Sequence, residues 1–419
     1  MERLPGFRDF YPEPLPSRDA GWSFEARQYV FDKWRETARR YSFREYDGPP
    51  LESLELFTTK SGDEIVGQLY NFTDKGDRAV ALRPEMTPTL ARMVAAHERN
   101  YKKPIKWFAL PQLFRYERQQ KGRLREHFQF NADLIGETDP AADAELIALL
   151  IDTLRSFGLT EQDFVIRLSS RNAWHEFYEG RRQKAEGRSD SGHEYEFFQT
   201  IDKLERTPRE ESEQKLAALG FALADVNQFI ESGKPTVELQ KILDNLAARG
   251  LYEFVKVDYH VIRGLAYYTG VVFEAFDAKG EFRALAGGGR YDNLVKLISG
   301  GKVDLPALGF GMGDVVLLEL LKARGLLPKF DAAVDVFILI EDEKLRPQSL
   351  KLVHDLRAAG FAAEYPLTPA KPDKQFKRAQ ELKASHTVKL EDASSVKIRN
   401  LKTREEVVVG ADDVPNRLG

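Results

Sequence analysis

Between positions 115 and 125 the chain carries five cations, Arg115, Arg118, Lys121, Arg123 and Arg125, against the single acid Glu117. Guanidinium forks match phosphate oxygens two at a time, so a loop of this kind can clamp phosphates. A solvated charged hairpin has the same composition. The flanks carry order beyond charge. Arg115 and Glu117 share one strand face, and Gln129, Asn131 and Asp133 share another, because strand side chains alternate with period 2.

Four further stretches hold chemistry-bearing types. Arg263 precedes Tyr267 and Tyr268, which suits a small polar ligand with a carboxylate or an ordinary β-turn with aromatic packing. Gly287-Gly288-Gly289-Arg290-Tyr291-Asp292 admits either a close backbone approach to a ligand or a strained turn. Gly309, Gly311 and Gly313 alternate, leaving one strand face bare just before an apolar helix. A flat nucleotide can lie there against a helix N-terminus, and close helix–sheet packing has the same signature. Glu85 and Thr87 offer a carboxylate and a hydroxyl to an ammonium or an imidazole N–H, or begin a helix with an acid in its first turn.

These stretches need elements to hold them. A 3.6-residue period predicts a helix over 19–41, and alternation predicts a hairpin over 66–83 turning at Asp74–Asp77. Helices are expected over 85–98 and 139–157, with two strands around the basic loop in 105–135. Residues 170–250 read as polar helices, with a surface loop at 184–194. Strands return at 254–262, 267–276 and 281–286, and a helix at 314–324. The tail alternates strands at 334–340, 362–365, 387–390 and 396–401 with helices at 345–359 and 373–382. The expected class is α+β: an antiparallel body over 1–325 with a helical insertion at about 170–250, a linker at 326–330, and an α/β domain over 331–419.

Composition narrows the chemistry. The 419 residues include no cysteine, which excludes a disulfide scaffold, a Cys-ligated zinc site, an iron–sulfur cluster and a thiol nucleophile. A formal charge of −4 from 62 basic and 66 acidic residues gives no global sign of a polyanion partner, so local patches must meet one. No apolar run approaches the ~18–20 residues of a membrane span, and the start lacks an apolar signal segment, so a cytoplasmic enzyme is expected. There is no Walker A pattern, no Gly-x-Ser-x-Gly elbow, and His175-Glu176 lacks a second histidine.

Taken together, the stretches resemble the histidyl-tRNA synthetase family of class II aminoacyl-tRNA synthetases. The likeness runs from Gly6-Phe7-Arg8-Asp9-Phe10-Tyr11-Pro12 to the tail, which is similar to the family's anticodon-binding domain. Residues 114–133 resemble motif 2, Gly309–Leu318 resembles motif 3, and Pro49 matches the dimer-interface proline of motif 1. Arg263–Thr269 and Gly287–Asp292 resemble the two histidine-specific signatures. The resemblance implies a class II antiparallel sheet flanked by helices. It implies a homodimer that uses ATP with Mg²⁺, L-histidine and tRNA-His, with no zinc or organic cofactor and no membrane partner. It gives Arg263 and Arg115 the catalytic role. Arg115, Glu117, Arg123, His127, Phe128, Gly311 and Gly313 would bind ATP, and Glu85, Thr87, Gln129, Asp133, Arg263, Tyr268 and Tyr291 would bind histidine.

The chain departs from the common family pattern in four ways. Ala266 replaces an Asp, Asp133 replaces a Glu, and His127-Phe128 inverts the usual Phe-His order. Asp314-Val315-Val316 lacks the motif 3 arginine. Similar variants resemble a branch found in some bacteria and plant organelles. The competing expectation is a non-charging paralogue, either like the regulatory subunit of ATP phosphoribosyltransferase or a module that only grips tRNA. The tail and the retained Arg115, Arg123 and Arg263 speak against it.

Overall fold

The computed structural model describes residues 2–12, 23–61, 67–116, 124–182, 191–263, 267–330 and 334–418. The chain forms two compact units, Met1–Leu327 and Pro328–Gly419.

The first unit opens with helix α1 (Phe24–Arg40), whose first turn is capped by the Ser23 hydroxyl accepting from the Ala26 amide. Strands β1 (Arg44–Glu45) and β2 (Leu51–Ser53), helix α2 (Leu54–Ser61) and the hairpin β3 (Asn71–Thr73) and β4 (Ala79–Leu82) follow. Helix α3 (Thr87–His97) leads to β5 (Ile105–Ala109), β6 (Gln112–Phe114) and β7 (Glu126–Ile135). Helix α4 (Pro140–Arg155) starts on an Asp139 cap with proline in its first turn. After β8 (Phe164–Ser170) come helices α5 (Arg171–Arg182), α6 (Ser191–Asp202), α7 (Arg209–Ala218), α8 (Leu223–Ser232) and α9 (Val237–Ala248). The unit closes with β9 (Val255–Val257), β10 (Val271–Asp277), β11 (Ala286–Arg290), α10 (Leu294–Ile298), β12 (Ala307–Gly313) and α11 (Asp314–Ala323).

Among the described residues, nine strands form the main sheet, in the order β1-β5-β7-β12-β11-β10-β8-β9 with β6 also paired to β7. Its pairs are antiparallel except β1–β5 and β8–β9. One face of β7 packs on helices. Phe128 and Phe130 meet Phe31 and Trp34 of α1 at ring-centroid distances of 5.2 and 5.7 Å. The helices between β8 and β9 build their own core from rings, including Phe197–Phe221 at 4.5 Å and Trp174–Phe229 at 4.7 Å.

The second unit has strands β13 (Val336–Leu339), β14 (Ala363–Glu364), β15 (His386–Leu390), β16 (Ser395–Asn400) and β17 (Glu406–Gly410), with helices α12 (Arg346–Ala358), α13 (Pro372–Glu381) and α14 (Val414–Leu418). Its sheet order is β14-β13-β15-β16-β17, around a core that includes Val336, Ile338, Leu352, Leu356, Val388 and Ile398.

Several expected boundaries shift. The strand expected at 281–286 begins only at Ala286, as β11, and runs through the glycine triplet, for which the sequence allows a close approach or a turn. Glycine has low strand propensity, but here close approaches on both faces exclude a side chain. The strand expected over 254–262 stops at Val257, where Asp258–His260 turns. Strand β8, preceding the insertion, and β17 with α14 at the tail have no counterpart among the expected elements.

Candidate active site

Strand alternation builds the floor of one cavity. Register across the sheet aligns Glu274 with Gly287, Gly287 with Gly311, and Gly311 with Asn131. The neighbouring row aligns Gly289, Gly309 and Asp133. The glycines hollow this face. A Cβ on Gly287 would collide with the Arg263 guanidinium, one on Gly309 with the Asp133 carboxylate, and one on Gly311 with the Gln129 amide. Above the hollow lies a cavity of about 290 Å³. Glu85, Thr87, Arg115, His127, Gln129, Asp133, Arg263, Tyr268, Tyr291, Gly311 and Gly313 all line it.

The other expected positions fall elsewhere. Phe128 points to the opposite face of β7, as alternation beside His127 requires, and packs on Phe10 and Phe31. Of the inverted pair, His127 alone faces the cavity. Pro49 lies exposed in the loop before β2, away from the cavity. Glu117, Arg123 and Ala266 lie outside the described residues. Val316, from the stretch Asp314-Val315-Val316, lines the cavity with an apolar side chain.

Three groups of contacts set the electrostatics. Arg263 donates to Glu274 at 2.6 Å and to the Tyr268 hydroxyl at 3.4 Å. Burial opposes its charge, yet Tyr268, Glu274 and Tyr267 hold its pKa above the ordinary arginine value. Its backbone sits at φ +56°, a left-handed conformation that costs a side-chain-bearing residue about 1–2 kcal/mol. Tyr291 donates to Asp133 at 2.5 Å, and burial pushes that carboxyl up to about 7 against the pull of the phenol. Tyr267 donates to the buried Glu85 at 3.3 Å. Arg115 is seated by an Nε donation to the Pro84 carbonyl at 3.0 Å, on the same loop as Glu85.

The signature around Arg290 divides its labour. Arg290 is buried and donates to Asp143 and to the carbonyls of Glu137 and Asp139, tying β11 to the start of α4. Its neighbour Tyr291 enters the cavity. Sequence reasoning missed Glu274 and left Tyr267 without a site role. The only signal for Glu274 is a lone charge inside the apolar run Val271–Phe276.

The cavity therefore combines carboxylates for a substrate cation with arginines for substrate anions, around a slot without Cβ atoms. Among the described residues, no three His, Asp or Glu side chains converge as a metal-holding group. In the second unit, a 440 Å³ cavity is lined by Phe376, Lys377, Lys389, Lys397 and Arg399, with Glu341 and Glu406. Arg399 lies 5.4 Å from the Phe376 ring centroid, and Lys397 pairs with Glu406 at 2.6 Å.

Comparisons with known proteins agree in kind. Residues 22–314 match the family model described as histidyl-tRNA synthetase, and residues 334–419 match one described as an anticodon binding domain. The histidine–tRNA ligase of Opitutus terrae is 47% identical over 99% of this chain and 97% of its own length. The solved structure of histidyl-tRNA synthetase from Nostoc sp. PCC 7120 superposes with a TM-score of 0.78 at 21% identity, covering 100% of this chain and 98% of that one. A structure from Bacillus halodurans, titled as an ATP phosphoribosyltransferase regulatory subunit/histidyl-tRNA synthetase, gives a TM-score of 0.71 at 22% identity, covering 90% and 96%. At those identities the two structures speak for the fold alone.

Proposed function

This chain belongs to the histidyl-tRNA synthetase family, and we propose that the cavity on its main sheet carries out both steps of histidine–tRNA ligation. In the first step the histidine carboxylate attacks the α-phosphorus of ATP. The bond to the bridging oxygen breaks, pyrophosphate leaves, and histidyl-adenylate remains. In the second step a hydroxyl of the terminal tRNA ribose attacks the adenylate carbonyl, and AMP leaves. Mg²⁺ arrives with the nucleotide as part of the substrate.

The first step brings two anions together and builds charge on phosphorus, so preorganised cations lower its barrier. Arg263 takes the attacking carboxylate and the α-phosphate, and Arg115 takes the α-phosphate from the motif 2 side. Asp133 holds the ammonium, with Gln129 and Thr87 beside it. Glu85, Tyr268 and Tyr291 line the imidazole end, where a carboxylate and a phenol offer one acceptor and one donor to the neutral ring. His127 faces the adenine, and Gly311 and Gly313 leave the base a flat bed. Arg123 and Glu117 complete ATP binding from the motif 2 loop.

The observation that carries this reading is the convergence of Arg115, Arg263, Asp133 and Glu85 on one glycine-floored cavity. The cavity around Phe376 and Arg399 is proposed to take anticodon bases. The protein is further proposed to be cytoplasmic and to dimerise through the region of Pro49. Among the described residues no helix is long and apolar enough to cross a membrane. Sedimentation as a monomer would remove the dimer from this account.

Histidine-dependent ATP–pyrophosphate exchange tests the chemistry. Wild-type protein is expected to exchange, and Arg263→Ala to lose about 10²–10³-fold in rate, the usual cost of deleting one preorganised charge donor. Wild type without exchange in the presence of ATP, Mg²⁺ and histidine overturns the reading. Robust exchange by Arg263→Ala removes that residue from its role.

A further inference from the structure

Arg171 is not among the residues lining the cavity, yet it contacts Arg263, the start of β10 and helix α6 at once. Its guanidinium donates to the Arg263 main-chain carbonyl at 3.1 Å. Its own amide donates to the Gly270 carbonyl at 2.9 Å, just before β10 begins. Its guanidinium carbon lies 4.8 Å from the centroid of the Phe198 ring on α6. Arg171 is the first residue of α5, directly after β8, so it stands where the helical insertion leaves the sheet.

Arg263 needs such a support. Its left-handed backbone is a conformation that glycine adopts freely and arginine does not. The residue must nevertheless be an arginine, because its guanidinium fills the space over Gly287 and pairs with Glu274. A strained backbone persists only where its surroundings hold it. The described anchor on the Arg263 carbonyl is the Arg171 guanidinium. Burial lowers the Arg171 pKa while Glu194 and Asp202 of α6, and Tyr268 of the cavity, oppose that fall, so α6 supplies the ring and part of the field around it.

We propose that Arg171 is a positioning residue that fixes the backbone of Arg263 and so couples helix α6 of the insertion to the aim of the catalytic guanidinium. This rests on the role given to Arg263 above. A shift of α6 moves the stacking partner of Arg171, and through the shared carbonyl it changes where the Arg263 charge sits. The insertion is then part of the catalytic apparatus, although the cavity-lining residues come from outside α5–α9.

The test is a double-mutant cycle in histidine-dependent exchange, with Arg171→Met and Arg171→Lys made in wild type and in Arg263→Ala. Arg171→Met is expected to lower kcat by about 10–100-fold, with KM for histidine and ATP within about threefold. Arg171→Lys, which keeps a donor, is expected to recover most of that loss. In the Arg263→Ala background, Arg171→Met is expected to cost less than about twofold, because residues acting as one unit are not additive. Equal losses in both backgrounds overturn the proposal, and so does a change confined to KM. If Arg171→Met melts below the assay temperature, Phe198→Leu carries the cycle, and a kcat loss that does not shrink in the Arg263→Ala background overturns the proposal. Failure of the family reading is separate, since it appears as absent exchange in the unmutated protein.

Discussion

Strand β7 serves two different interiors, one on each face. On the side of Phe128, Arg8 donates to Glu126 at 2.6 Å and to Asp314 at 2.8 Å. The remaining oxygens accept from the Phe128 amide at 3.0 Å and the Gln112 amide at 3.0 Å. Each of the four carboxylate oxygens accepts at least one hydrogen bond, and all three charged groups are buried. On the other side, Arg263 has Glu274 and Asp133 has Tyr291, but both groups also open into the cavity. The ingredients are the same: arginine, carboxylate and burial. A network closed on itself fixes the N-terminal segment and the start of α11 to the sheet. A network left open over a glycine floor keeps charge available for a substrate.

The closed side is expected to break hardest. Arg8→Met strands two carboxylates without their cation, and removing one member of a buried charged cluster typically costs about 3–5 kcal/mol. Urea unfolding measures it, and a loss below about 1 kcal/mol would show that the cluster is not closed to water.

The open side is expected to respond in the opposite direction. The Asp133 carboxyl moves from an ordinary 3.8 to about 7 on folding, so between those values the folded chain holds a proton that the unfolded chain has lost. Stability from this group is therefore greatest at low pH and falls as pH rises toward 7. Asp133→Asn should be more stable than wild type at pH 8, by about 2–4 kcal/mol at most. The gap should close toward pH 4, and histidine-dependent exchange should be lost. Melting curves across pH check the sign, and an Asn variant less stable at pH 8 would contradict it.

The cavity of the second unit offers an intermediate case, with cations and a ring but acids among its lining. Phe376→Ala is expected to weaken charging by roughly 1–3 kcal/mol, the worth of one stacked base, with pyrophosphate exchange unchanged. A matching fall in exchange would tie this cavity to the first step instead. The smallest effect is expected at Gly311→Ala. The atoms nearest the new Cβ are the end of the Gln129 side chain, which can move. A several-fold rise in KM for histidine with stability within about 1 kcal/mol would mark Gln129 as the residue displaced.

Much of this arrangement was legible beforehand because strand periodicity is local. The set Gln129, Asn131 and Asp133 on one face, and the bare run Gly309, Gly311 and Gly313, follow from a period of two and nothing else. The hairpin turning at Asp74–Asp77 and the proline-started helix α4 were equally local. The glycine triplet 287–289 leaves close approach and turn equally open in sequence, because its reason lies in distant neighbours: Arg263 above Gly287, and Phe310 behind Gly288. Glu274 went unnoticed for the same reason, since its value depends on a partner that approaches from outside its own strand.

The sequence by itself determined the types: which residues alternate, where backbone lies bare, which cations stand at the ends of strands, and that no thiol takes part. Tertiary structure decided which of them meet. Arg8 reaches Asp314 across 306 positions, and Tyr267 reaches Glu85 across 182. It also decided that Arg263 adopts a left-handed backbone held by Arg171, and that Asp133 stays buried enough to hold its proton near neutrality. Local pattern sets direction along a strand. Burial and pairing depend on elements brought together only when the sheet closes.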